Sequence, residues 1–298
     1  MQSFSSTDFG ATPSSLSTES KNAQFRWLII ATLLTVALSL IPYADILVYP
    51  IRLFVTLIHE SGHALATVLT FGDVKGLTVS PDESGLTWSQ GGFRPLITSA
   101  GYLGSMLFGA GLLLLAQRES HARNILYACG ALVFGVTFFF VNGSASWLVF
   151  LVLALAVTLW IAASRPGFGK IARFGLGGAS LALILMLIAF WTVTGTLFSW
   201  AVGLFLGTAF LVLGNVCRPA MAHFLVNFLA VQCCLNALVD LKVLFLLSTT
   251  TLQHSDAVNM QQMTGIPAVF WAIVWGIMAL GILILVLWMI QYRGSKTS

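Results

Sequence analysis

Residues 46–71 are ILVYPIRLFVTLIHESGHALATVLTF, an apolar run broken by a cluster of histidine and glutamate. A helix of this length can cross a hydrocarbon core of about 30 Å. It carries His59-Glu60-Ser61-Gly62-His63 at a depth where one charged side chain costs about 2.5 to 3.5 kcal/mol. The stretch therefore predicts a membrane helix that contains a polar site with a compensating partner.

The composition extends this interpretation to the whole chain. Of 298 residues, 58% are hydrophobic and 8% are charged, whereas about 25% charged residues is usual in soluble domains. Apolar runs of spanning length follow one another along the sequence. We therefore expect an all-α polytopic membrane protein with about nine transmembrane helices, multi-pass in a membrane that the sequence does not identify.

The predicted organisation has three parts. Residues 1–25 form a disordered polar tail rich in Ser and Thr, residues 26–292 form a single transmembrane domain, and residues 293–298 form a short basic tail. Spans are expected near 27–41, 46–71, 95–116, 124–141, 147–163, 176–193, 197–213, 219–247 and 267–292.

A polar break near residues 73–92 separates the second predicted span from the third. Apolar and polar residues alternate in Val74–Val79, the turn Ser80–Gly85 follows, and Leu86–Trp88 comes after it. Short alternating segments around a turn rich in Pro, Asp and Gly predict a small β-hairpin after the motif-bearing helix.

Charge and cysteine usage exclude other classes of protein. The net charge of +4 is spread over short loops without a basic cluster, so no nucleic-acid partner is expected. Four cysteines, Cys129, Cys217, Cys233 and Cys234, show no CxxC spacing. We interpret all four as small apolar residues.

The spacing of the motif suits a metal ion. On a helix, His59 and His63 are offset by about 40° and about 6 Å along the axis, so both imidazoles can bind one ion. Glu60 can reach a metal-bound water without being a ligand. This is the HExxH zinc-protease pattern, in which the carboxylate takes a proton from a water whose pKa zinc lowers to about 7. The sequence predicts Zn²⁺ as cofactor and Glu60 as catalytic residue.

A catalytic zinc keeps three protein ligands, so a third must come from elsewhere in the chain. Asp240 lies in the predicted span 219–247 and follows Gln232 and Asn236 at four-residue steps, on one face of an apolar helix. We predict Asp240 as the third ligand and Asn236 as a supporting residue. The alternative for Asp240 is an interfacial carboxylate paired with Lys242.

Other candidates for the third ligand are weaker. Asp256, His254 and Asp73 occur in stretches that the sequence predicts as polar loops, and Asp256 is retained as a candidate supporting residue. His223 lies on a different face of the late span from Asp240, and we interpret it as a packing or interface residue.

The motif inside a span, followed by a hairpin and a late aspartate-bearing span, resembles the site-2 protease family of intramembrane zinc metallopeptidases, in its B-type branch from bacteria and plants. The resemblance extends from Val48 to Trp275 and includes Asn236–Leu241 and Ser255–Pro267. It implies hydrolysis of peptide bonds inside or near the bilayer.

The resemblance also implies roles for single residues. His59 and His63 match the family's zinc ligands, Glu60 its catalytic base and Asp240 its aspartate ligand. Leu241 stands where better-studied members have Gly. In the family's logic, the hairpin adds an extended substrate as a further strand.

A second departure concerns the helix after the hairpin. Better-studied members carry a Gly-Pro pair with a later Asn there, whereas this chain has Gly101-Tyr102-Leu103-Gly104-Ser105. Substrate clamping of the kind seen in those members is therefore not carried over to this helix.

Three functions are consistent with these sequence features. The first is a zinc-dependent intramembrane endopeptidase that acts on a membrane-protein or peptide substrate within the lipid bilayer. The second is a non-catalytic protein of the same fold that binds partners or lipids, which the departure at Leu241 favours. The third is an ion-coupled transporter, for which paired repeats and broken helices would be expected and are not evident.

Overall fold

A computed structural model describes residues 29–30, 32–34, 45–247 and 255–296, without the side chains of residues 45, 144, 236–247 and 293–296. The predicted tail 1–25 and most of the predicted first span lie outside the described residues. The elements in chain order are α1 (Asp45–Leu69), β1 (Asp73–Val79), β2 (Gly85–Gln90), α2 (Arg94–Leu115), α3 (Ala122–Phe140), α4 (Ser146–Ser164), α5 (Lys170–Val193), α6 (Leu197–Val216), α7 (Pro219–Leu247), α8 (Asp256–Thr264) and α9 (Ala268–Lys296).

The helices confirm a multi-pass integral membrane protein. Within the described residues, six helices are long and apolar enough to cross a membrane, namely α2, α3 with the turn before it, α4, α5, α6 and α9. Helix α7 adds an apolar segment over Pro219–Leu235, and α1 carries the polar motif. Each predicted span from 46–71 onward corresponds to one of these helices, whereas the short helix α8 was expected as a polar loop.

Helix α1 runs through the middle of the protein core. Leu53, Phe54, Val55, Leu57 and Ile58 are all buried, and residues this close in sequence point to most sides of a helix. Burial on most sides means that neighbouring elements surround α1. The motif, which begins one residue later, is therefore held inside the protein rather than facing lipid.

Small residues let α2 cross α1 at close range. A β-carbon on Gly62 would lie 2.2 Å from the carbonyl oxygen of Ala100, and one on Gly104 would lie 3.3 Å from the Cα of Gly62. A side chain larger than hydrogen is excluded at Gly62, and one at Gly104 would be tightly packed. Further along α2, a β-carbon on Gly109 would lie 2.7 Å from Cys234 Sγ of α7.

The predicted hairpin is confirmed as an antiparallel pair, with Val79 opposite Gly85 and Asp73 opposite Gln90. Its turn is fixed to the first half of α1. Thr56 Oγ1 donates to the carbonyl oxygen of Glu83 at 2.8 Å. The guanidinium of Arg52 lies 2.9 Å from the Glu83 carboxylate. These contacts hold the hairpin over the motif-bearing helix.

The outer edge of β1 is covered. Ser199 Oγ, from α6, accepts a hydrogen bond from Val79 N at 2.9 Å and donates one to Val79 O at 3.1 Å. At the other end of the strand, a β-carbon on Gly143 would lie 2.1 Å from the Lys75 carbonyl oxygen. Among the described residues, β2 pairs only with β1, so the open edge of this sheet is that of β2.

Helix α8 is short but firmly placed. Ser255 caps it by accepting a hydrogen bond from Val258 N, and Gly265 ends it in the left-handed conformation with φ of 72°. The side chain of Gln261 accepts a hydrogen bond from Ala268 N at 2.8 Å, which ties α8 to α9. A buried cluster packs α8 against α2 and α9, and it consists of Tyr102, Ala257, Met260, Ala268, Ala272 and Trp275.

The cysteines behave as apolar packing residues, in agreement with the interpretation of their spacing. All four are free, and Cys129, Cys233 and Cys234 are buried between helices.

Candidate metal centre

Three side-chain atoms from two distant parts of the chain meet at one point. His59 Nε2 and His63 Nε2, one helical turn apart on α1, are 3.1 Å from each other. Asp256 Oδ2, at the start of α8, is 3.2 Å from each of these nitrogens. The three atoms form a nearly equilateral triangle at the junction of α1, α2 and α8.

The triangle has the size that a tetrahedral zinc site requires. Ligand atoms bound to zinc at about 2.0 to 2.2 Å stand about 3.3 to 3.6 Å from one another at tetrahedral angles. The observed separations of 3.1 and 3.2 Å are close to this range. The donors, two imidazole nitrogens and one carboxylate oxygen, are also a common set for catalytic zinc. The residues therefore fit the ion.

A hydrogen bond at the other ring nitrogen of His63 orients its imidazole for binding a cation. Its Nδ1 lies 2.7 Å from the carbonyl oxygen of Ile97, and because a carbonyl only accepts, Nδ1 carries the hydrogen. In the neutral ring, Nε2 then presents its lone pair to His59 and Asp256. Such an outer hydrogen bond fixes the tautomer and orientation of a metal-binding histidine.

Glu60 lies beside the triangle and faces the hairpin. Its side chain is buried, and its Oε2 accepts a hydrogen bond from Thr87 Oγ1 at 2.7 Å. A β-carbon on Gly85 would lie 2.6 Å from both Cγ and Oε1 of this glutamate. Strand β2 thus orients Oε2 of Glu60 through the Thr87 hydroxyl. It leaves room at Oε1 because Gly85 has no side chain.

The backbone of Gly101 approaches both imidazoles. A β-carbon on this residue would lie 2.3 Å from His59 Nε2 and 2.5 Å from His63 Nε2. An ion shared by the two nitrogens would compete with such a β-carbon for this space. The ring of Tyr102, the next residue, contacts the His59 imidazole edge to face with a centroid distance of 4.7 Å. It also stacks on Trp275 with a centroid distance of 5.5 Å, and the two aromatic rings thus hold the imidazole in place.

A cavity of about 400 Å³ opens onto the triangle. Its walls come from α1, β2, the start of α2 and α8, and they contain the carboxylates of Glu60, Glu83 and Asp256. Among the described residues, no Lys or Arg lines it. Such walls favour an uncharged group such as a peptide backbone over an anion.

The structure brings His59, Glu60 and His63 together as the motif suggested, with ligand atoms within 4.8 Å of one another. It also adds Asp256, which the sequence analysis retains only as a supporting candidate because it is predicted to lie in a polar loop. A local signal was present, since Ser255 before Asp256 is a helix N-cap pattern and Gly265 with Pro267 is a stop pattern.

The remaining candidates lie elsewhere or are not described. Asp240 belongs to helix α7, but its side chain and that of Asn236 lie outside the described residues, as does His254. Asp73 is exposed and pairs with Lys75. His223 is buried, with Nε2 2.7 Å from the carbonyl oxygen of Ala116, which agrees with a packing role.

The sequence matches the model of a known protein family. The model of the Peptidase M50B-like family matches residues 29–181 and 168–286. The chain belongs to this family. No curated protein and no solved structure matches the chain. Membership in the family confirms the resemblance to site-2 proteases and supports a membrane metallopeptidase of that type.

The contact at Gly101 generates a prediction about metal binding. Gly101→Ala would place a methyl group between the two imidazoles, so we expect the purified variant to bind less than about a tenth of the zinc that the unmodified protein binds. Gly111→Ala is the matched control, because a β-carbon on Gly111 in the same helix meets nothing within 4 Å. Elemental analysis after metal reconstitution measures both, and equal zinc in the two variants would contradict the prediction.

Proposed function

We propose that the protein is a zinc-dependent intramembrane endopeptidase whose metal is held by His59, His63 and Asp256. The observation that carries the proposal is the triangle of ligand atoms with sides of 3.1 and 3.2 Å. It favours Asp256 over Asp240 as the third ligand, since the carboxylate of Asp256 lies beside both imidazoles. Asp240 stays the alternative.

The cavity beside the triangle favours a catalytic metal over a structural one. Structural zinc sites are closed by four protein ligands, whereas catalytic sites keep one position open to water or substrate. Here three protein ligand atoms stand at the wall of a cavity of about 400 Å³. This arrangement supports the enzyme over the non-catalytic alternative.

Zinc at this position would supply a water of pKa near 7 and would polarise the carbonyl of the scissile bond. Glu60 would take a proton from water at its Oε1, because its Oε2 already accepts a hydrogen bond from the Thr87 hydroxyl. The same carboxylic acid can then give the proton to the departing amine.

Glu60→Gln tests the proposed base. The amide keeps the size and the contact with Thr87 but cannot take a proton, so we expect cleavage of a membrane-protein substrate to fall at least about 100-fold. Zinc content and thermal unfolding in detergent should stay as in the unmodified protein, because Glu60 is not a ligand in this proposal. Retained cleavage would remove Glu60 from the mechanism.

The hairpin offers a means of holding the substrate. A transmembrane helix must unwind locally before its peptide bonds can be attacked, and an extended segment can pair with an open sheet edge. Four residues of β2 line the cavity, namely Gly85, Leu86, Thr87 and Ser89. Because the outer edge of β1 is covered by Ser199, we propose that the substrate pairs with β2, beside Glu60.

Proline substitutions in β2 test this pairing. The N–H groups of Leu86 and Ser89 point to opposite edges of the strand. One of the two variants, Leu86→Pro or Ser89→Pro, therefore removes a donor of the hairpin ladder, and the other removes a donor of the open edge. Loss of a ladder hydrogen bond lowers the unfolding temperature, so the variant that unfolds at the same temperature as the unmodified protein is the one at the open edge. We expect it to cleave substrate about tenfold more slowly, as the loss of one hydrogen bond predicts. Unchanged cleavage in that variant would rule out strand pairing.

A further inference from the structure

Helices α4 and α5 form an antiparallel pair at the periphery of the protein. In their most apolar 18-residue windows, only 17% and 11% of the residues are buried, against 56% in α2. The pair is tied together inside by Ser180 Oγ, which donates to the carbonyl oxygen of Ala156 at 2.8 Å. Most of its remaining surface faces the surroundings of the protein.

A groove of about 780 Å³ lies between the two helices at the end where their loop joins them. Trp160, Phe174 and Leu181 form its apolar walls, and Lys170 and Arg173 stand at its loop end. Gly177 and Gly178 leave the space open, since a β-carbon on Gly178 meets nothing within 4 Å. The groove is thus apolar along its length and cationic at one end.

The length of the groove corresponds to half a bilayer. From Lys170 to Leu181, helix α5 rises by about 16 Å, and one leaflet of a hydrocarbon core is about 15 Å thick. The cationic end coincides with the loop between two membrane helices, where lipid headgroups lie. An acyl chain starting at this loop would extend along the groove to the middle of the membrane.

Within the part of the chain that the structure describes, the positive charge at this end has no acidic partner. Arg165, Lys170 and Arg173 fall within one short loop and helix start, and no Asp or Glu occurs between Ser120 and Val239. Among the described residues, none of the three cations forms an ion pair. Arg173 Nε donates to the carbonyl oxygen of Ala163 at 2.9 Å, which fixes its guanidinium at the groove.

We propose that the groove between α4 and α5 binds an anionic phospholipid. Its phosphate would lie at Lys170 and Arg173, and one acyl chain would lie over Gly177 and Gly178 toward Leu181. Basic pockets between membrane helices bind anionic headgroups in this way. The groove shares no lining residue with the cavity at the metal centre, so the proposal does not depend on the enzymatic activity.

Lipid retention tests the proposal directly. Full-length protein is placed in nanodiscs of phosphatidylcholine with a minor fraction of phosphatidylglycerol, and the lipids kept after gentle detergent extraction are counted by native mass spectrometry. We expect preferential retention of one phosphatidylglycerol. Lys170→Gln should lower this preference about fivefold, the effect of one cation at a membrane surface. Arg118→Gln, which removes an exposed cation on another loop, should leave it unchanged.

A steric variant separates the groove from general surface charge. Gly178→Leu places a larger side chain in the groove, whereas Gly175→Leu adds the same side chain to the same helix outside the groove, and a β-carbon at either position meets nothing within 4 Å. Loss of retained phosphatidylglycerol in Gly178→Leu alone supports the site. Equal retention of both lipids by the unmodified protein, or equal behaviour of the two leucine variants, overturns it.

Discussion

Two imidazole nitrogens and a carboxylate oxygen lie about 3 Å apart inside an apolar helical protein, and the remaining features of the site depend on this contact. Three atoms that carry lone pairs repel one another unless a cation or a proton lies between them, and a low-dielectric interior strengthens that repulsion. The hydrogen bond from His63 Nδ1 to Ile97 fixes where the lone pair of its other nitrogen points. A shared metal ion would satisfy all three atoms together.

The surrounding fold serves this contact by close approach rather than by additional ligands. Gly62 lets α2 cross the motif-bearing helix, and Gly101 then leaves empty the space beside the imidazoles. The hairpin approaches from the other side, where Gly85 and Thr87 contact Glu60. Helix α8 closes the site with Asp256, supported by its packing on Tyr102 and Trp275.

The sequence was most informative where a pattern is local. The order of spans, the hairpin and the pairing of His59 with His63 follow from apolar run length, strand alternation and helical spacing, all of which act over a few residues. The position of Asp256 could not be predicted in this way, because 197 residues separate it from His59 and only tertiary packing brings α8 to α1. The same limit applies to Gly101, whose contact with the imidazoles depends on how two helices cross. The prediction of Asp240 rests on a helical polar stripe, a pattern that shows which residues share a face but not what that face contacts.

X-ray absorption at the zinc edge, on the purified unmodified protein and on two aspartate variants, tests the metal centre most directly. The account predicts one zinc per chain bound by two imidazole nitrogens and additional oxygen atoms at about 2.0 to 2.2 Å. Asp256→Asn should lower zinc retention or change this oxygen shell, whereas Asp240→Asn should leave both as they are. A protein that never retains zinc, or one whose zinc environment depends on Asp240 and not on Asp256, would contradict it.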